Sequence, residues 1–347
     1  MDKLTTILDN ALASAQMDAV DLIRAIYVGL TSAILFASLL GSFHARFIPY
    51  GARATPAQAS ARQPAEAPSR SVVTRALDVV ASWKVPHRYF THFYIASVVA
   101  SVFWAVQVTL RGGAFEAIAT RISPEHLERS MSITQIVLCW GLMLIQGGRR
   151  LYECFAFSKP SSSSMWFAHW LVGLSFYLLM SISIWIEGTG TLLSHQITLD
   201  DIKVANAPSL RTFLCLPIFL MASGLQHDGH HYLFSLEKYT LPTHPMFFSI
   251  VCPHYTAECV IYLSLAALAA PPGEMINKTL FLALVFVAVN LGITAGTTKQ
   301  WYAQKFGKES VQAEFGKQRQ SDRDFTPRSA AKLSLLPASP TVCLHPN

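Results

Sequence analysis

Charge is what this sequence has least of. Only 14% of its 347 residues are Asp, Glu, Lys or Arg, against about 25% in soluble chains. That is too little polar surface to hold a body of this size in water. Paired cysteines are also missing: Cys139, Cys154, Cys215, Cys252, Cys259 and Cys343 form no Cys-x-x-Cys motif, and most lie inside apolar runs. They read as small buried hydrophobes and exclude a disulfide framework. There is no GxGxxG, no Walker motif and no HExxH, so neither a Rossmann domain, a P-loop nor a zincin helix is present. No internal repeat is found.

What is present is hydrocarbon. Apolar residues make up 52% of the chain, and the mean hydropathy is +0.35. A membrane-spanning helix needs about 20 mostly apolar residues. Charge-free runs of that kind occupy 25–43, 93–110, 131–148, 165–186 and 279–298. Two interrupted runs complete the set: 212–226 carries Pro217, and 245–272 carries His254 and Glu258. The expectation is an all-α integral membrane protein with seven transmembrane helices. The first run is too long and too far from the start to be a cleavable signal.

The basic residues give an orientation. With the N-terminus outside, the inner segments 44–88, 149–164, 227–244 and 299–347 hold 19 of the 27 Lys and Arg residues. Basic residues mark the cytoplasmic side, so the tail and the first long loop are cytosolic. The net charge of +6 is therefore an orientation signal, and no nucleic-acid partner follows from it. The division expected is a lumenal N-terminus at 1–24, a seven-span domain at 25–298, a C-terminal segment at 299–312 and a tail at 313–347. The loop 51–75 is rich in Ala, Pro, Ser and Arg, with Glu66 its single acid, and reads as disordered. So does the tail.

Polar residues at membrane depth are functional candidates by default. His254, Glu258 and Tyr262 follow at i, i+4 and i+8, which stacks them on one helix face. Either they contact a ligand or they form a structural bond between helices. His227, Asp228, His230 and His231 crowd one short segment, and His227 and His231 have the i, i+4 spacing of zinc ligands on a helix. No third ligand at a standard spacing accompanies them, so no metal is assigned. A polar helix end, or a face that holds an anionic cofactor, explains them as well. Arg149 and Arg150 close the third run, as a topology anchor or a phosphate site.

Taken in order, VPHRYFTHFY, LIQGGRRLYECF, QHDGHHYLFSLEKYTLP, CPHYTAECVIYLSL and NLG…TKQWYAQKFGK resemble the steroid 5α-reductase family, and within it the polyprenal/polyprenol reductase branch. The resemblance covers about 85–308. It implies a seven-helix enzyme of the endoplasmic-reticulum membrane, N-terminus lumenal and C-terminus cytosolic, with a cofactor cavity on the cytosolic side. That cavity would hold NADPH, and the enzyme would reduce a C=C bond conjugated to a carbonyl.

Position by position, the resemblance makes Glu258, His254, Asp228, Arg150 and Tyr302 the cofactor-binding residues. Two departures bear on the substrate. The Gln-Glu pair that grips the steroid ketone is replaced by His92 and Phe93, and the catalytic tyrosine of span three by Gly147. A long-chain isoprenoid aldehyde, its tail in the bilayer, fits better, with His92 or Tyr94 as the catalytic donor. The resemblance gives dolichol synthesis as the route served, and no protein partner. A steroid or other enone reductase is the alternative on the same fold, and a non-catalytic membrane lipid-binding protein the alternative of another class.

Overall fold

A computed structural model of the protein describes residues 2–41, 43, 47, 72–159, 163–202, 208–237 and 240–315. Each of the seven apolar runs falls on a helix of 16 residues or more. These are α1 (Ala19–Leu39), α2 (Thr91–Thr109), α3 (Ile133–Ala156), α4 (Phe167–Ser183), α5 (Leu210–Ser235), α6 (Pro253–Leu268) and α7 (Lys278–Phe306).

The starts of these helices have local causes. Asp18 caps α1 by accepting from the Asp21 N–H. Ser132 and Gln135 form a capping box on α3, and Ser209 and Asn277 cap α5 and α7. Each satisfies amide groups that the first turn leaves without partners. Pro253 opens α6, where a missing N–H is harmless. Gly307 ends α7 with φ +87°, a conformation that favours glycine.

Among the described residues, four helical segments are long and apolar enough to cross a membrane: Ala19–Leu39, His87–Thr109, Phe167–Ser194 and Lys278–Phe306. The other three differ for a visible reason. Helices α3 and α5 are long, but their last turns carry Arg149, Arg150, Glu153 and His227–His231, and α6 has only 16 residues. Outward faces are apolar, with Phe36, Val99, Ile145, Phe213 and Met221 all exposed. Exposed apolar area on that scale belongs against lipid.

The helices close into a ring. Helix α5 packs along α6, α6 along α7, and α7 along α1, while α4 packs along α2 and α2 along α3. Lighter contacts of α4 with α1 and α7, and of α3 with α6, complete it. Within the ring lie Tyr27, Phe176, Met180, Ile184, Ile261 and Leu265.

The all-α expectation needs one correction. Strands β1 (Lys84–Pro86) and β2 (Ser164–Trp166) pair antiparallel, Val85 opposite Met165. Each leads almost directly into a helix, β1 toward α2 and β2 into α4, so pairing them brings the entrances of two neighbouring helices together. Backbone bonds from Phe167 N to Trp83 O (2.9 Å) and from His87 N to Ser163 O (3.0 Å) extend the clamp.

Of the loop 51–75, only 72–75 are described, and they begin the helix Val72–Ser82. The tail is described as far as Phe315, with 308–314 forming the helix Lys308–Glu314. The remainder of both lies outside the described residues.

At the end of the ring opposite the paired arginines, Arg24 holds several elements together. Its guanidinium donates to Glu187 (2.9 Å) and to Thr279 Oγ1 (3.1 Å), and meets His126 Nε2 at 3.1 Å. Glu187 also accepts from the Thr279 N–H at 2.9 Å. Asp18, Asp21 and His126 offer ligand atoms within 4.8 Å of one another. Arg24 lies 3.5 Å from Asp21, so a cation already serves that cluster. Burial raises the Asp18 carboxyl pKa, yet bonds from the Ser123 and Asp21 N–H groups and from His126 outweigh it and hold it at about 2.

Candidate active site

Two helices present the same polar spacing. On α3 it is Gln146, Arg149, Arg150 and Glu153; on α5 it is Ser223, Gln226, His227 and His230. Both follow i, i+3, i+4, i+7, which is one helix face. The two faces meet, and residues from α2 and α6 join them.

Glu153 is the centre. It is 2% exposed. One carboxylate oxygen takes Arg149 and, at 2.7 Å, His227 Nδ1; the other takes Arg150 and, at 2.9 Å, His230 Nδ1. From Arg150 the network runs to α2: Nε and a terminal N–H donate to the Tyr94 hydroxyl oxygen at 3.2 and 2.9 Å. The same guanidinium lies over the Tyr94 ring, 4.7 Å from its centroid. From Arg149 it runs the other way. Arg149 donates to Gln146 at 3.0 Å and also to Gln226. Gln146 donates to Gln226 at 2.8 Å, and Gln226 donates to Glu258 on α6 at 2.8 Å. One hydrogen-bonded path thus joins Tyr94 to Glu258 through four helices.

The expected site residues divide. Tyr94, Arg150 and Glu258 are in the network. His254 is buried beside it, its ring 5.2 Å from that of His230. His92 lies elsewhere: its ring stacks on Tyr89 at 4.5 Å and meets Trp170 at 6.1 Å. Two residues on from His92, Tyr94 faces another side of α2. Asp228 is exposed and outside the network. Tyr302 is buried in a cluster with Trp301, Phe306 and Phe315, rings 5.3 to 6.1 Å apart. Phe93 packs against Phe90 and Tyr177.

The zinc-like pair His227 and His231 does not converge on a common point. The two rings lie stacked with centroids 6.5 Å apart, both against Phe157, and His227 bonds through Nδ1 to Glu153. Glu153, Gln146 and Gln226 were not singled out in the sequence, and His230 and Arg149 only as members of a histidine-rich segment and an arginine pair. Their signal was there, as the matching polar period at the ends of α3 and α5.

Whether this site suits an anionic, carboxamide-bearing cofactor can be judged from its donors. Two guanidinium groups and two imidazoles converge, and Arg149 Nε is buried with no hydrogen-bond partner among the described residues. A buried donor of that kind is costly unless something accepts from it. Gln226 and Glu258 add groups suited to an amide. The donor set fits such a cofactor. A cavity of about 380 Å³ between α5 and α6, lined by Ile218, Met221, Leu225, Ile250, Ala257 and Val260, is apolar and fits hydrocarbon instead.

The family described as 3-oxo-5-alpha-steroid 4-dehydrogenase matches residues 176–313. The polyprenal reductase of Saccharomyces cerevisiae (strain ATCC 204508 / S288c) is 30% identical over 236 residues, 68% of this chain and 74% of that protein. Polyprenal reductase 1 of Oryza sativa subsp. indica is 26% identical over 275 residues, 65% and 77% of the two chains. The polyprenal reductase of Mus musculus is 25% identical over 330 residues, 85% and 94% of the two.

Proposed function

Since the chain belongs to the steroid 5α-reductase family, we propose that it reduces the C=C bond of polyprenal nearest the aldehyde, using NADPH, on the way to dolichol. The protein is an oxidoreductase acting on a CH–CH group. The observation that carries the reading is the Arg150–Tyr94 pair. Both guanidinium N–H groups donate to the hydroxyl oxygen, so the phenol keeps its own proton to give, with the Tyr177 hydroxyl beside it and a substrate oxygen as the acceptors open to it.

NADPH, when bound, supplies the hydride that adds to the β-carbon of the unsaturated aldehyde. Arg149, with His254 and the Gln226–Glu258 pair, would hold it. Tyr94 donates a hydrogen bond to the aldehyde oxygen as that oxygen takes up negative charge, and such a preorganised donor lowers the barrier. It then yields its proton to that oxygen, and the enol so formed becomes the saturated aldehyde by taking a proton from water at the α-carbon and returning the O–H proton to the phenolate, which Arg150 stabilises meanwhile. General acid catalysis of this kind contributes on the order of 10² to 10⁴-fold.

The apolar cavity between α5 and α6 supports a substrate with a long hydrocarbon chain. Phe93, packed among aromatic rings, offers no polar group to a steroid ketone. Seven spans in the endoplasmic-reticulum membrane, with the N-terminus lumenal and the site at the cytosolic end, place the arginine-rich end of the ring on the side of the excess basic residues.

The test is direct. Microsomes containing the full chain are given NADPH with polyprenal or with a 3-oxo-4-ene steroid. Saturated product from polyprenal alone is expected. Reduction of the steroid alone favours the steroid reductase, and reduction of neither removes the catalytic reading.

A further inference from the structure

We propose that Glu153 is a positioning residue that assigns the two adjacent arginines to opposite ends of the site, Arg150 to the Tyr94 hydroxyl and Arg149 to the Gln226–Glu258 pair. The proposal rests on the reading of Tyr94 as proton donor.

Two guanidinium groups on consecutive residues repel one another, strongly so where water is scarce. Here they diverge. Each oxygen of the Glu153 carboxylate takes one arginine and one histidine, so a single charge divides the pair into two separately bonded halves. The carboxylate meets Arg150 through one terminal nitrogen. The other edge, Nε and the second terminal nitrogen, is left to grip the phenol oxygen. The carboxylate meets Arg149 in the same manner. The opposite edge of Arg149 then reaches Gln146 and Gln226. A guanidinium is planar with its donors in a fixed fork, so fixing one edge aims the other. His227 ties the carboxylate to α5, and His230 Nδ1 sits 2.9 Å from the carboxylate and 2.7 Å from Arg150, so α5 holds both members of that ion pair.

Glutamine in place of Glu153 removes the charge and offers an NH₂ group where one arginine and one histidine need an acceptor. Arg150 is then no longer held at the phenol. A misplacement of about 1 Å at a reacting group costs on the order of 10²-fold.

The experiment uses the full chain, purified in detergent. For Glu153→Gln, kcat for polyprenal is expected to fall about 10- to 100-fold. The KM for polyprenal should stay within about threefold, because uniform binding of the substrate is untouched. The solvent deuterium isotope effect on kcat should rise, because proton delivery becomes slower. Glu153→Asp keeps the charge on a shorter arm and should recover part of kcat. It also serves as the reporter should the Gln variant fail to fold.

Tyr94→Phe separates the two claims. Loss of turnover in Tyr94→Phe with wild-type kcat in Glu153→Gln overturns the positioning role alone. Wild-type turnover in Tyr94→Phe overturns the donor assignment and the positioning role together. A Glu153 variant with reduced kcat and an unchanged isotope effect has a structural role only, and that result also overturns the proposal.

Discussion

Gly147 on α3 lies directly against Ser97 on α2: a Cβ at Gly147 would come within 2.8 Å of Ser97 Oγ. The two helices touch there, with room for hydrogen only. One turn further along α3 is Arg150, and one turn back along α2 is Tyr94. The close approach is what brings the guanidinium onto the phenol. In the proposed mechanism the hydroxyl therefore comes from Tyr94 on α2, while Gly147 stands at the position that the resemblance matches to a catalytic tyrosine.

Gly147→Ala should therefore lower stability and turnover together. Overpacking at a tight contact costs about 1–3 kcal/mol. Thermal unfolding in detergent, followed alongside polyprenal reduction, checks it. Gly147→Tyr should be poorly folded and should not acquire steroid reduction; a stable, steroid-reducing variant would contradict the packing argument.

His92 and Tyr94 should part company on mutation. Tyr94→Phe keeps the packing and removes the hydroxyl, so turnover should fall on the order of 10²-fold or more with NADPH binding retained. His92→Ala, a change between Tyr89 and Trp170, should leave turnover within about threefold. The reverse ranking, measured as initial rates with matched protein levels, would move the donor to His92.

Glu258→Gln should weaken NADPH binding by roughly tenfold or more, since loss of a charged hydrogen-bond partner costs about 1.5–3 kcal/mol. The substitution keeps the size of the side chain and its bond to Gln226, so the protein should remain folded. Fluorescence titration with NADPH reads the effect without turnover. Unchanged affinity would return Glu258 to a purely structural role.

Arg24→Ala should destabilise the protein without touching the site. Breaking one side of a buried ion pair costs about 3–5 kcal/mol, and Glu187 is 6% exposed. A lowered unfolding temperature and little folded protein are expected, with the fraction that folds reducing polyprenal at an ordinary rate.

Acid should act through Asp18. Its carboxyl is held at about 2 against an ordinary 3.8, so the group contributes stability at every pH above 3.8. As the pH falls from 3.8 toward 2 that contribution is lost, about 2 kcal/mol in all. Asp18→Asn should be less stable than the parent at neutral pH and should converge with it near pH 2. Parallel curves of unfolding temperature against pH would show that Asp18 does not carry the dependence.

The seven apolar runs were legible in the sequence because a bilayer demands about 20 apolar residues from each span, and no neighbour is needed to see them. The paired strands β1 and β2 were not legible. Three residues each, one carrying Pro86, they have too short a period to register. The polar stripes on α3 and α5 were visible as segments, yet Glu153 passed unnoticed beside the two arginines.

By itself, then, the sequence determined the class of the protein, the places of its helices and the segments in which chemistry is concentrated. Hydrophobic period and side-chain spacing are properties of one helix at a time. Tertiary structure decided which faces meet. Glu153 reaches His227 and His230, 74 and 77 residues away, and Arg24 reaches Thr279 across 255 residues. It also decided that Tyr94 and not His92 turns inward, and that Arg24 bonds to Glu187 and Thr279 from other parts of the chain. Those outcomes depend on the rotation and depth at which helices distant in sequence pack, and no spacing within a single helix encodes them.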